Sequence, residues 1–466
     1  MFDRFFNLLR WLDGSANLRS VFGPKTLMLT DQRPRGAARK QDSVGVAAPA
    51  TIPQVASSMR DAVVPIVSNR SRRARVHQAF DASMPVEDRR GLSGRSAELA
   101  QLAEGVLDQN KHGIIFGARG SGKTSLSRVF GDVADEARCL VLYHSASGDI
   151  DFGALFLPYV EELASGSGIA ATKRNDVNPA GMFDARSLAG WMIDNVDRRV
   201  ILILDEFDRI ENATTKSQVA SLMKLLSDMR AQVRLLIVGI ASDVEDLLQG
   251  HPSLRRHVEA VPIGPIAASA LRALLDQCCA EAGLGLDDAA ADRIVKASLG
   301  SPYHLRVFGL HAALAAERGG STVIDDAVAL TALQEALAEW SMISPDSSGY
   351  FASLLARADI PREPLSVAAI LASYTASFSA TSISAGLQDM GRDAATADAW
   401  AASTVSLLAP ISTESVIEGS FMFTDSLGPQ FLKLMTAGII GRSSAPGSST
   451  VSDMKSVFTS MSEGAL

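Results

Sequence analysis

The chain has 466 residues, 47% of them hydrophobic and 21% charged, with a formal net charge of −8. That balance suits a globular protein of roughly two to four domains and excludes a wholly disordered or collagen-like chain. Three cysteines, Cys139, Cys278 and Cys279, exclude a disulfide framework and point to buried thiols in a reducing cytoplasm; the lack of an uninterrupted apolar stretch of about 18 residues excludes a spanning helix.

Charge is spread unevenly. Residues 1–80 carry 13 Lys/Arg against 5 Asp/Glu, a net of +8, so the remainder carries −16. A basic arm over residues 1–85, rich in Arg, Ala, Ser and Pro, therefore precedes an acidic body, and most of that arm has the composition of a disordered segment. Its start differs. Phe2, Phe5, Phe6, Leu9 and Leu12 recur at helical spacing with Asp3, Arg4, Asn7 and Arg10 opposite. That predicts a short amphipathic helix for docking a partner protein; a membrane surface and a targeting peptide are its alternative uses. Arg70, Arg72, Arg73 and Arg75 offer cations to nucleic-acid phosphates, and a solvated linker explains them equally well.

Residues 113–125 then run from an apolar strand through a glycine-rich turn into a predicted helix over Thr124–Phe130. Gly117, Gly122, Lys123 and Thr124 form the phosphate-loop pattern G-x-x-x-x-G-K-[ST], with Ala118, Arg119, Gly120, Ser121 and Ser125 completing the loop. Glycines let successive backbone N–H groups curl around phosphate oxygens, and the helix that follows aims its positive dipole end at the same anion. Lys123 would reach the outer phosphates and the Thr124 hydroxyl would join a Mg²⁺ shell.

A second apolar run spans Arg138–His144. A third, Val200–Leu204, reads as a strand buried on both faces and stops at Asp205-Glu206. Ligands of open α/β sheets sit at that edge. Asp205 suits a metal-holding carboxylate, and Glu206 suits a base for the water attacking a γ-phosphoryl group. Taken alone, the acid pair also fits a solvated turn.

With these two motifs in place the chain resembles an AAA+ P-loop ATPase of the origin-recognition and STAND-like group. The resemblance implies an α/β, three-layer P-loop core with a parallel sheet over residues 90–263. It further implies a helical lid over 264–320, a winged-helix-like domain over 325–440 and a flexible tail over 441–466, with ATP and Mg²⁺ bound. Val233–Ile240 reads as a fourth strand, followed by Ser242 at the first-sensor position, where Asn or Thr is more usual. His251-Pro252-Ser253-Leu254-Arg255-Arg256 resembles the arginine-finger segment, which implies a self-assembly in which Arg255 or Arg256 enters a neighbour's site. Gly300–Arg306 resembles the second-sensor segment, with Arg306 favoured and His304 as runner-up. Arg95 lies in Gly94-Arg95-Ser96-Ala97-Glu98-Leu99, similar to the opening before the core in this group.

Ile266–Glu317 is helical and alanine-rich, and Gly319-Gly320 marks a boundary. Beyond it, helices precede two expected wing strands, 407–411 and 420–424, and a closing helix around 431–435. Residues 341–440 hold 4 Lys/Arg against 9 Asp/Glu, and the expected recognition helix, 393–403, has no basic side chain. A helix entering the major groove needs such groups, so this domain is read as a protein-interaction or autoinhibitory module, with Trp400 as a packing anchor. Three functions follow from the resemblance: an ATPase remodelling a partner complex, a STAND-type nucleotide-gated switch with slow hydrolysis, and a DNA-tethered accessory ATPase of replication, transposition or defence.

Overall fold

The computed structural model describes residues 64–82, 91–165, 184–240, 251–415 and 419–439, with backbone alone for 64–71. The chain divides into two units, residues 1–74 and 75–466. Of the first, the described part is the opening of helix α1 (Val64–Ala79). The amphipathic stretch at residues 2–12 lies outside the described residues, as do Ser242 and the tail beyond Ile439.

In the second unit, α2 (Ser96–Ala103) leads to β1 (His112–Gly117), α3 (Lys123–Glu136), β2 (Leu140–Ser145) and α4 (Phe152–Ser165). There follow α5 (Ala185–Asn195), β3 (Val200–Asp205), α6 (Ala213–Asp228), β4 (Val233–Gly239) and β5 (Val258–Ile263). The five strands form one parallel sheet in the order β2-β3-β4-β1-β5. Side chains alternate across it, which explains why its strands read as continuous apolar runs. Ile114, Leu202, Leu204, Leu235 and Ile237 pack with Tyr159 of α4, Met192 of α5 and Leu222 of α6. Ile115, Ile201, Ile203, Leu236 and Val238 pack with Leu102 of α2 and Leu126 and Phe130 of α3. The core is therefore a three-layer α/β sandwich. Helix α3 extends six residues past the expected Phe130, because Ala134 continues its buried stripe.

Three helices follow: α7 (Ala268–Ala282), α8 (Asp288–Ala297) and α9 (Pro302–Arg318), with β6 (Gly285–Leu286) paired to β7 (Val323–Ile324). Then come α10 (Asp326–Ile343), α11 (Pro345–Leu355), α12 (Arg362–Thr375), β8 (Phe378–Ser379), α13 (Ala380–Asp389) and α14 (Ala394–Leu408). β9 (Ser412–Glu414), β10 (Ser420–Phe423) and α15 (Gly428–Thr436) complete the described chain.

The C-terminal sheet is antiparallel in the order β8-β10-β9. Two details differ from expectation. Leu407 and Leu408 belong to α14 rather than to a strand, because the alanine-rich helix runs on until the turn at Pro410, and the hairpin strand begins at Ser412. The packing anchor is Trp340, not Trp400. Trp340 stacks between Phe351 and Phe431, with ring centroids 5.9 and 4.7 Å away, and its Nε1 donates to Asp425 Oδ2 at 2.9 Å. Trp400 is half-buried, with the Arg392 guanidinium 5.4 Å over its ring.

Candidate functional site

Parallel pairing brings the carboxyl ends of β1, β3 and β4 to one sheet edge: Phe116 lies opposite Gly239, and Leu204 opposite Ile237. Gly117 ends β1 with no room for a side chain, since a Cβ there would stand 2.3 Å from the Ile263 carbonyl oxygen. The chain then turns through Gly120 and Gly122 at φ of +73° and +91°, a region that L side chains enter at a cost of about 1–2 kcal/mol. α3 starts immediately after at Lys123 and carries no acid in its first turn, so its positive end is left for an anion.

Lys123 Nζ donates to the carbonyls of Gly117 and Ala118 at 3.0 and 2.9 Å, which holds it across the loop. Burial pushes its ammonium down to about 8, against the pull of Asp208 and Asp205. Ala118 is buried; exposed Arg119 pairs with Asp208 at 3.2 Å. The Ser121 hydroxyl is buried without a hydrogen-bond partner. Thr124 and Ser125 lie half-buried in the first turn of α3, where Ser127 Oγ donates to the Thr124 carbonyl at 2.9 Å.

Asp205, at the end of β3, is only 3% exposed. Its Oδ1 accepts the Glu206 N–H at 2.7 Å and its Oδ2 accepts the Tyr143 hydroxyl. Glu206 adopts a left-handed backbone, φ +56° and ψ +36°, which swings its side chain off the strand direction and strains the chain at the site. Its Oε1 meets Arg209 at 3.0 Å. The residues present fit a metal-bound nucleotide. The unsatisfied Ser121 hydroxyl sits in a loop opened by glycines, and Thr124 and Asp205 supply hard oxygen donors. Mg²⁺ takes one or two protein oxygens and completes its shell with phosphates and water.

Arg95 is buried and ties this loop to the segment after β5: it donates to the Ser121 carbonyl at 3.0 Å and to the Gly264 carbonyl, and pairs with Glu98 at 2.9 Å. A second element lies over the loop. Ser301 caps α9, with Pro302 at its first position and the Ser301 hydroxyl accepting the His304 N–H. The same hydroxyl lies 3.1 Å from the Gly120 carbonyl, to which it donates its only proton, so His304 Nδ1, 2.9 Å away, donates to it. His304 is fully buried and its pKa is pushed down to about 3 by burial. Ala118, Arg119, Ser121, Gly300, Ser301 and Tyr374 enclose a cavity of only about 10 Å³. The sheet edge, the start of α9 and the end of α12 thus meet at the loop.

One arginine expected at the loop lies elsewhere, and two expected to serve a neighbour lie away from their own loop. Arg306 donates to the carbonyls of Ala79 and Asp81, at 3.2 and 3.4 Å, and the structure does not bring it to the loop. Arg255 and Arg256 are exposed on a short turn, Pro252–His257, anchored by buried Leu254. That turn feeds the start of β5, where Val258 lies opposite His112, whereas the phosphate loop leaves the other end of β1. About 3.3 Å per strand residue separates the two edges by roughly 17 Å, so these arginines cannot serve their own loop. Ser301, Tyr143, Asp208 and Tyr374 were not singled out from the sequence. Only the Ser-Pro helix start carried a local signal, as a cap.

Residues 80–339 match the family described as Novel STAND NTPase 1. No curated protein sequence matches the chain. Among solved structures, it is similar to the Walker-type ATPase paby2304 of Pyrococcus abyssi, at 16% identity over 76% of this chain and 99% of that one, TM-score 0.48. It is also similar to Cdc6p of Pyrobaculum aerophilum, at 17% identity over 78% and 98%, TM-score 0.43. A third similarity is to the RuvB Holliday junction branch migration motor of Thermotoga maritima, at 15% identity over 73% and 95%, TM-score 0.38. Among the described residues no helix is long and apolar enough to cross a membrane.

Proposed function

The chain belongs to the Novel STAND NTPase 1 family, and on that footing we propose that it is an ATP-binding, Mg²⁺-dependent ATPase working as a nucleotide-gated switch, whose nucleotide state sets its assembly with copies of itself or with a protein partner. The observation that carries this reading is the hydrogen bond from Ser301 to the Gly120 carbonyl, together with Tyr374 at the same cavity. A phosphate seated in the loop must displace or reshape contacts made by the lid and the C-terminal domain. Binding energy at the loop is thereby converted into domain movement.

The loop amides of Gly120 to Thr124 and the Lys123 ammonium would hold the phosphates, and Asp205 with Thr124 would hold the metal. A Mg²⁺ ion there would supply neutralisation of the phosphate charge. Glu206 orients a water and takes its proton at the side-chain carboxylate, once Arg209 releases that carboxylate. Arg255 or Arg256, on the far edge from its own loop, is suited to a neighbouring subunit's nucleotide. The helix–strand arrangement of residues 362–436 supports a winged-helix reading, and its lack of basic side chains on α14 favours a protein over DNA as its contact.

The complete Asp205-Glu206 pair supports a second reading, continuous turnover that remodels a partner complex. Light scattering without nucleotide, with ADP and with a slow-hydrolysing ATP analogue tests both. Growth in mass with the ATP analogue is expected, and a monomer indifferent to nucleotide would overturn the proposal. Turnover below about one per minute then favours the switch, and faster cycling the remodelling motor.

A further inference from the structure

The chemistry of Asp205 depends on where its carboxylate points, and one side chain outside the two sequence motifs controls that. Strands β2 and β3 run in parallel with Ser145 opposite Asp205 and Tyr143 opposite Ile203. Tyr143 and Asp205 therefore project to the same sheet face, the one covered by α3. There the phenol donates to Asp205 Oδ2. The Glu206 N–H holds Oδ1 at 2.7 Å, so each carboxylate oxygen has one fixed donor and one lone pair still to offer.

The phenol is itself held. The Arg128 guanidinium of α3 stands 5.0 Å over its ring, and the Ser127 hydroxyl lies beside its oxygen. Ser127 in turn donates to the Thr124 carbonyl at 2.9 Å. A chain of contacts thus runs from the phosphate loop through α3 and Tyr143 to Asp205. Phe would fill the same space against α3 and lose only the hydroxyl's contacts with Asp205 and Ser127.

We infer that Tyr143 is a positioning residue that presents the Asp205 carboxylate to the metal of a bound nucleotide. This rests on the nucleotide reading above. Groups that orient a metal ligand from behind typically govern metal affinity by 10- to 100-fold, without touching the metal. The phenol acts on the metal step alone. Lys123 and the loop amides before Thr124 have no contact with it, so they would bind phosphate in its absence.

The test is the Tyr143→Phe variant of the full chain, with fluorescent ADP affinity measured in EDTA and across a Mg²⁺ titration. Nucleotide affinity in EDTA should match wild type. The Mg²⁺ concentration that half-restores tight binding should rise about 10-fold or more. Mn²⁺ in place of Mg²⁺, read by electron paramagnetic resonance with ADP present, should show the same shift directly on the metal. A wild-type protein that binds no nucleotide would overturn the nucleotide reading and this inference together. Wild-type binding strengthened by Mg²⁺, with an unchanged midpoint in Tyr143→Phe, would overturn the inference alone. Ligand-free melting temperature serves as the folding control. Should Tyr143→Phe melt early, Tyr143→His retains a ring and a donor, and a metal midpoint between wild type and Asp205→Asn is then required. A midpoint equal to that of Asp205→Asn would refute the role.

Discussion

Replacing His304 separates its packing from its titration. The imidazole is fully buried between Tyr303, Phe308 and Phe431, with ring centroids 5.1, 5.9 and 5.8 Å away. Burial holds its pKa at about 3, against 6.5 in a free chain, while the Leu427 backbone and the Asp425 charge pull the other way. The folded state thus refuses a proton that the unfolded chain accepts below pH 6.5, so stability falls as pH drops from about 6.5 toward 3. Each pH unit in that window is worth about 1.4 kcal/mol, so this one group costs about 2 kcal/mol between pH 7 and pH 5. His304→Asn keeps a donor near the Nδ1 position and removes the titration. At pH 7.5 the variant should be less stable by about 2–3 kcal/mol, for lost ring packing. Between pH 7 and pH 5, however, it should lose about 2 kcal/mol less than wild type. Hydrogen exchange of α9 peptides at stepped pH reads this locally, without assuming that a multidomain chain unfolds in one step. Equal acid losses in the two proteins would refute the argument, since His304 would then be protonating inside the fold.

Other outcomes follow from the same contacts. Glu206→Gln should bind ATP as wild type does and lose phosphate release by 100-fold or more, roughly the scale of a positioned base; wild-type release would remove Glu206 from the role. Lys123→Ala should weaken ATP binding by about 100-fold, roughly the 1.5–3 kcal/mol of a charge-assisted contact, measured by titration calorimetry. Gly300→Ala would place a Cβ 2.2 Å from Pro265 Cβ at φ +80°. It should loosen the lid segment and speed ADP release severalfold in stopped-flow fluorescence, and an unchanged rate would deny the lid its gating part. A variant lacking residues 1–63, with Arg70, Arg72, Arg73 and Arg75 changed to Ala, should lose any salt-sensitive binding to duplex DNA; retained binding would contradict the reading of α14 as no DNA contact.

Much of the core was legible from local pattern. The run Val200–Leu204 is apolar without alternation because β3 is buried on both faces, and Gly117 to Thr124 specify a turn and a helix start through neighbouring residues alone. Such signals are encoded within a few positions, where backbone sterics and periodicity operate. The contacts that govern the site are not local. Ser301 meets Gly120 across 181 positions, and Tyr143 meets Asp205 across 62. Arg306 has the sequence position of a phosphate sensor, yet packing of α9 against the end of α1 and the residues after it gives it the carbonyls of Ala79 and Asp81. The chain itself determined which segments could be strand, loop or helix, and which residues could hold a phosphate. Only the tertiary structure decided which of them face one another, because that follows from how several apolar surfaces share one core rather than from any single stretch.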